Sequence, residues 1–124
     1  MRIYKEFTFE GAHFLPSAPE GHPNRRIHGH SFRVRVSIDG EPDPQTGLVV
    51  HFDDVKAALE DLRGTLDHNF LNDLDGLENP TLELISKWIW DRLHNRVPGL
   101  AEIAISRDTC GEGCIYTGPD RTAS

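Results

Sequence analysis

The stretch Arg26-Ile27-His28-Gly29-His30-Ser31-Phe32-Arg33-Val34-Arg35-Val36-Ser37-Ile38 alternates strictly from Ser31 onward. Phe32, Val34, Val36 and Ile38 fall on one side, and Ser31, Arg33, Arg35 and Ser37 on the other, which predicts a half-buried β-strand. If the strand extends back through Gly29, His28 and His30 project to the same face. Two imidazoles on one face of one strand are half of a metal site, and the glycine between them lets a ligand or another backbone approach closely.

On the N-terminal side, Ile3 to Glu10 alternates in the same way and reads as a second strand rich in aromatics. Gly11-Ala12 is expected to bulge it and to re-aim His13. Leu15 to Arg26, with three prolines and Gly21, is a loop. On the C-terminal side, the central strand ends at Asp39-Gly40. Turn residues follow from Glu41 to Gly47, and Leu48-Val49-Val50 reads as a strand fragment closing a hairpin with a long loop. Asp53 or Asp54 is expected to cap a helix whose buried face is Val55, Leu59, Leu62 and Leu66, with Ala58 beside them. Leu66 to Gly76 is a connection containing Asp67-His68-Asn69-Phe70. Thr81 caps a second helix with Ile85, Trp88, Ile89 and Leu93 inward, stopped by Pro98-Gly99. Ala101 to Arg107 and a short segment holding Ile115 and Tyr116 complete the strands. Strands at both ends with helices between give an α+β architecture, a small antiparallel sheet with two helices over one face. Such a sheet leaves two unpaired edges, so pairing between subunits is expected.

At 124 residues the chain is expected to form one domain over 1–119, followed by a loose tail at 120–124. The formal net charge of −7 argues against a nucleic-acid partner. No apolar run approaches membrane-spanning length and no signal segment opens the chain, so the expectation is a soluble cytoplasmic protein without a membrane partner. With only Cys110 and Cys114 present, a disulfide scaffold is not implied.

His13 is the candidate third partner for His28 and His30, since antiparallel neighbours would bring the three together. Three histidines with no cysteine or carboxylate match a catalytic zinc site with an open fourth position, against the plainer reading of scattered surface histidines. Asp67-His68 reads either as an acid–base pair, the carboxylate fixing the imidazole tautomer, or as a turn. Asp108 either receives a polar ligand at a strand end or begins a turn. His22, His51 and His94 read as structural or exposed.

Taken together, Phe9-Glu10-Gly11-Ala12-His13, His28-Gly29-His30-Ser31-Phe32, Leu66-Asp67-His68, Asn79-Pro80-Thr81-Leu82-Glu83 and Asp108-Thr109-Cys110 resemble the 6-pyruvoyltetrahydropterin synthase family. The similarity is greatest to its bacterial branch, the 6-carboxytetrahydropterin synthases of queuosine and other 7-deazapurine biosynthesis. The resemblance implies a tunnelling fold: a four-stranded antiparallel sheet with two helices on one face, three subunits closing a barrel, and two trimers forming a homo-hexamer with active sites between subunits. It implies zinc at His13, His28 and His30, and a lyase reaction on a pterin substrate, 7,8-dihydroneopterin triphosphate. It further implies Asp67 and His68 as a proton-relay pair and Asp108, Thr109 and Thr81 as substrate-binding residues.

Three positions depart from the family pattern. The family's catalytic cysteine lies four residues before the His-x-His pair, where this chain has Asn24. A thiolate can remove a proton from carbon; a neutral amide cannot. The family's pterin-anchoring glutamate is matched by the shorter Asp108, and His51 stands where the bacterial enzymes carry aspartate. The pattern predicts a retained metal and pocket with weak or altered synthase activity. The alternative is a pterin-binding oligomer without catalysis.

Overall fold

A computed structural model describes residues 1–119, so the tail expected at 120–124 lies outside the described residues. The sheet has the order β3-β1-β2-β4-β5, from β1 (Arg2–His13), β2 (His28–Asp39), β3 (Asn69–Phe70), β4 (Leu100–Arg107) and β5 (Glu112–Tyr116). Helices α1 (Asp53–Leu66) and α2 (Leu82–Leu93) lie between strands in sequence, as the α+β reading required. The alternation of β2 is realised: Phe32, Val34, Val36 and Ile38 are buried, while Ser31 and Arg33 face solvent. Their side of the sheet joins Phe9, Ile103 and Ile105 to Val55, Leu59, Leu62 and Leu66 of α1 and Ile85, Ile89 and Leu93 of α2 in one core. α1 packs on β1, and α2 on β4 and β5.

The expected bulge at Gly11-Ala12 is absent. β1 and β2 pair without interruption from Arg2 opposite Asp39 to His13 opposite His28. The glycine serves close packing instead, because a Cβ at position 11 would stand 3.2 Å from the Phe9 ring and 3.3 Å from Leu71 Cδ1. Continuity of this ladder carries the strand geometry out to the histidines.

Four of the strands form the expected antiparallel sheet, and a fifth was not anticipated. Asn69–Phe70, read as part of a connection, pairs in parallel with Gly11 and Ala12 on the outer edge of β1. Two residues are too few for a periodic signal. Conversely, Leu48–Val50 forms no strand. The Asp43 carboxylate accepts from Gln45 N at 2.7 Å and Thr46 N at 3.2 Å, and Asp43 N donates to Leu48 O at 2.9 Å. The segment is thus closed on its own loop rather than on the sheet. At the start of α1, Phe52 occupies the cap position with helical torsions, and Asp53 and Asp54 lie in the first turn, where the helix dipole favours carboxylates. Thr81 caps α2 as expected, its hydroxyl accepting from Leu84 N at 3.1 Å. That helix ends at Leu93, before Pro98-Gly99, with Arg96 N and Val97 N both turning back to Leu93 O.

Candidate metal centre and adjoining cleft

The register of β1 and β2 makes the site. His13 stands opposite His28, and Gly11 opposite His30, on the same side as the stacked Phe9–Phe32 pair. The three imidazoles therefore extend the core-facing row beyond its last aromatic rung. Each of them offers a nitrogen within 4.8 Å of the other two. Two of the rings are oriented by backbone carbonyls: His13 Nδ1 lies 3.0 Å from Pro80 O, and His28 Nδ1 lies 2.7 Å from Arg26 O. A carbonyl can only accept, so each Nδ1 carries the proton and each Nε2 keeps its lone pair. Such outer hydrogen bonds are how ligating histidines are oriented.

The donor set fits a metal. Nε2 of His13 and Nε2 of His30 are buried without any hydrogen-bond partner, which costs free energy unless something fills the gap. Burial drives the His13 pKa down to about 4, with the neighbouring His28, His30 and Arg107 adding to the effect and the Pro80 carbonyl opposing it. Burial, with Arg107, also lowers His30. Both rings are thus held in the neutral state that a metal requires. All-nitrogen coordination by three histidines suits Zn²⁺ and leaves a position for substrate.

Beside the trio opens a cleft of about 540 Å³, lined by residues that include Glu10, His30, Ser31, His68, Phe70 and Thr109. His68 lines it, and Asp67 stands behind His68, both tied to β1. Asp67 Oδ1 accepts from Glu10 N at 2.9 Å, His68 N donates to Glu10 O at 2.6 Å, and Asp67 Oδ2 lies 2.9 Å from His68 Nδ1. The dipeptide is therefore both a turn and a carboxylate–imidazole pair, with His68 at φ 57°, a left-handed conformation held by these contacts. The Glu10 N–H, then His68 and Arg63, hold the Asp67 carboxyl below the usual carboxylate range.

The remaining expected residues are spread more widely. Thr109 lines the cleft, whereas Asp108 is not in its lining and bonds to Arg33 Nε at 2.7 Å and Ser106 Oγ at 2.9 Å. Those two contacts lower its pKa. The Thr81 hydroxyl is engaged as the α2 cap, next to the Pro80 carbonyl that orients His13. Asn24 lies half-buried in a 3-10 turn whose cap is His22, its carbonyl accepting from Leu15 N at 2.7 Å, and it is not in the cleft lining. Cys110 and Cys114 are free thiols. The sequence reading missed Glu10, whose main chain holds both members of the Asp67–His68 pair, and Arg107, half-buried at the end of β4. The alternation of β4, which puts Arg107 on the side of Ile103 and Ile105, was the available signal for the second.

Residues 2–119 match the profile of the 6-pyruvoyl tetrahydropterin synthase family. The chain belongs to this family. It is 45% identical to the 6-carboxy-5,6,7,8-tetrahydropterin synthase of Synechocystis over 94% of this chain and 93% of that one. It is 31% identical to the dihydroneopterin monophosphate aldolase of Pyrococcus furiosus over 90% of each chain. Among solved structures, the 6-pyruvoyl tetrahydropterin synthase of Caenorhabditis elegans superposes with a TM-score of 0.86 at 22% identity over 96% of both chains, which supports the fold. The chain is thus an enzyme-family member of the pterin synthase and lyase type, and its three-histidine cluster is a possible metal site of a 6-pyruvoyl tetrahydropterin synthase fold.

Proposed function

We propose that the chain is a zinc-dependent lyase of the 6-carboxytetrahydropterin synthase type, acting in the cytoplasm on 7,8-dihydroneopterin triphosphate within queuosine and 7-deazapurine biosynthesis. One observation carries the reading: two buried imidazole nitrogens without partners, beside a third histidine and at the border of a cleft lined by His68, whose Nδ1 is paired with the Asp67 carboxylate. Zinc at His13, His28 and His30 would polarise the hydroxyls of a bound pterin side chain. His68 moves the proton, and Asp67 fixes the His68 tautomer through Oδ2 while its other oxygen is tied to Glu10 N. Thr109 and Asp108 hold the pterin ring. To do so, Asp108 exchanges its Arg33 contact for the pterin N–H groups. Thr81 acts through the α2 cap that supports Pro80.

Asn24 supplies no base at the position of the family's cysteine, so turnover is weak or altered. The same residue favours the second reading, a pterin-binding oligomer without catalysis. Incubating zinc-loaded protein with dihydroneopterin triphosphate and identifying products by mass spectrometry separates the two. A carboxy- or pyruvoyl-tetrahydropterin supports the first, and bound unchanged pterin supports the second. Metal analysis of His28→Ala tests the site itself. The expected result is loss of the metal, and retention of one ion per subunit would remove His28 from it.

A further inference from the structure

Arg107 is a cation on the core-facing row of the sheet, at its end near the histidines. The β2–β4 ladder sets Val34 opposite Ile105 and Arg33 opposite Ser106, so the next rung brings Arg107 level with Phe32. The Phe32 ring centroid lies 5.8 Å from that of His13 and 5.6 Å from that of His30. Arg107 also lies two residues before Thr109, which lines the cleft. Its side chain is 15% exposed, and one end of it is fixed: Nη2 lies 2.6 Å from Glu112 Oε1, across the β4–β5 ladder. The other end is not. Arg107 Nε is buried with no hydrogen-bond partner, like the Nε2 atoms of His13 and His30.

A clamp between β4 and β5 accounts for Nη2 but not for Nε. A buried guanidinium N–H left unpaired is more costly than a neutral one, so its retention calls for an acceptor that the protein itself does not supply. The open Nε2 atoms of His13 and His30 suit a cation; the Arg107 Nε–H calls for an acceptor, of which an anionic oxygen is the strongest. Glu112 already offsets the Arg107 charge through Nη2, so the open demand is the Nε–H itself, and a metal-bound ligand bearing a negative oxygen would meet it.

We propose that Arg107 is the anion-holding residue of the three-histidine site, presenting its Nε–H to an anionic oxygen of the ligand while Glu112 holds its Nη2. This rests on the metal reading of His13, His28 and His30, but not on the pterin reaction. The ligand class is a carboxylate or phosphate oxygen, or a hydroxyl ionised on binding.

The test uses protein loaded with Co²⁺, whose visible absorption reports a change of ligand. Acetate and inorganic phosphate are titrated separately, one for carboxylate and one for phosphate. In wild type at least one of the two perturbs the spectrum saturably. In Arg107→Gln its apparent dissociation constant rises at least about tenfold, as expected for loss of a charge-assisted bond. Equal affinity in wild type and Arg107→Gln overturns the proposal, as does a wild type that responds to neither anion. If Arg107→Gln does not hold cobalt, Arg107→Lys decides, because it keeps the charge but lacks the Nε–H. A several-fold weaker constant supports the role, and an unchanged one overturns it. A wild type that takes up no cobalt overturns both this inference and the metal reading. Arg107-dependent anion binding without pterin turnover leaves the inference standing and removes the proposed reaction alone.

Discussion

At the scale of single residues, the neutral histidines set the protein's response to acid. The folded pKa of His13 is about 4 because burial disfavours its charged form, against about 6.5 in an unfolded chain. Between these values the unfolded state binds the proton and the folded state does not, so stability is present above pH 6.5 and is lost as pH falls toward 4. His30 shifts in the same direction. The lowered carboxyls of Asp39, Asp67 and Asp108 stabilise the fold above their ordinary range and lose that contribution only as pH falls into it, so they hardly affect a comparison of pH 5 with pH 7. Metal-free protein should therefore melt at a lower temperature at pH 5 than at pH 7. His13→Asn, whose amide still reaches toward Pro80 O, should show a flatter dependence. Identical slopes would show that His13 titrates normally. Asn24 carries a second expectation. Positioned general-base catalysis contributes about 10²–10⁴-fold, so Asn24→Cys should raise turnover of dihydroneopterin triphosphate, and adding His68→Ala should abolish the gain. A wild type already working at an ordinary enzymatic rate would show that a different group is the base.

At the scale of elements, the cap of α2 and the three-histidine cluster share a backbone. Thr81 Oγ1 accepts from Leu84 N, and the preceding carbonyl, Pro80 O, orients His13. Thr81→Ala should cost about 1 kcal/mol of stability in denaturant unfolding and should also weaken zinc retention, measured against a competing chelator. Unchanged zinc affinity with the expected stability loss would show that Pro80 is held by other means. The cap was legible in the sequence because Asn79-Pro80-Thr81 before a periodic apolar face is a local signal. So were β2 and the shared face of His28 and His30, since a strand fixes side-chain direction by parity alone. β3 was not legible: its pairing with Gly11 and Ala12 follows from where α1 delivers the chain, a tertiary outcome. The loop at 43–48 misled for the opposite reason. Three apolar residues have strand propensity, but the Asp43 carboxylate had already committed the preceding backbone to a closed turn. Glu10 escaped notice because its contribution to the Asp67–His68 pair is made by main-chain atoms, which carry no residue-type signal.

At the scale of the molecule, the open edges of the sheet determine what is built next. Among the described residues, β1 has a strand partner on its outer side only at Gly11 and Ala12, and β5 has none on its far side. Even-numbered residues of β1 turn their backbone polar groups outward: Thr8 O accepts from Arg63 Nε at 2.9 Å, and Glu10 N donates to Asp67 Oδ1. By the same parity, the N–H groups of Tyr4 and Glu6 face away from β2, along a stretch where, among the described residues, no strand pairs with β1. An exposed edge of this length invites another strand. We expect subunits to join β1 to β5 into trimers and the trimers to pair as a hexamer, so the 14.0 kDa chain should sediment as an assembly at micromolar concentration. Glu6→Pro tests the edge directly. Proline removes only an outward N–H at this position, so the β1–β2 ladder keeps its hydrogen bonds while the outer edge loses a donor. The variant should dissociate toward monomer in analytical ultracentrifugation with its far-ultraviolet circular dichroism retained. A wild type that is monomeric, or a Glu6→Pro variant that assembles as wild type does, would show that the open edge of β1 is not where subunits meet.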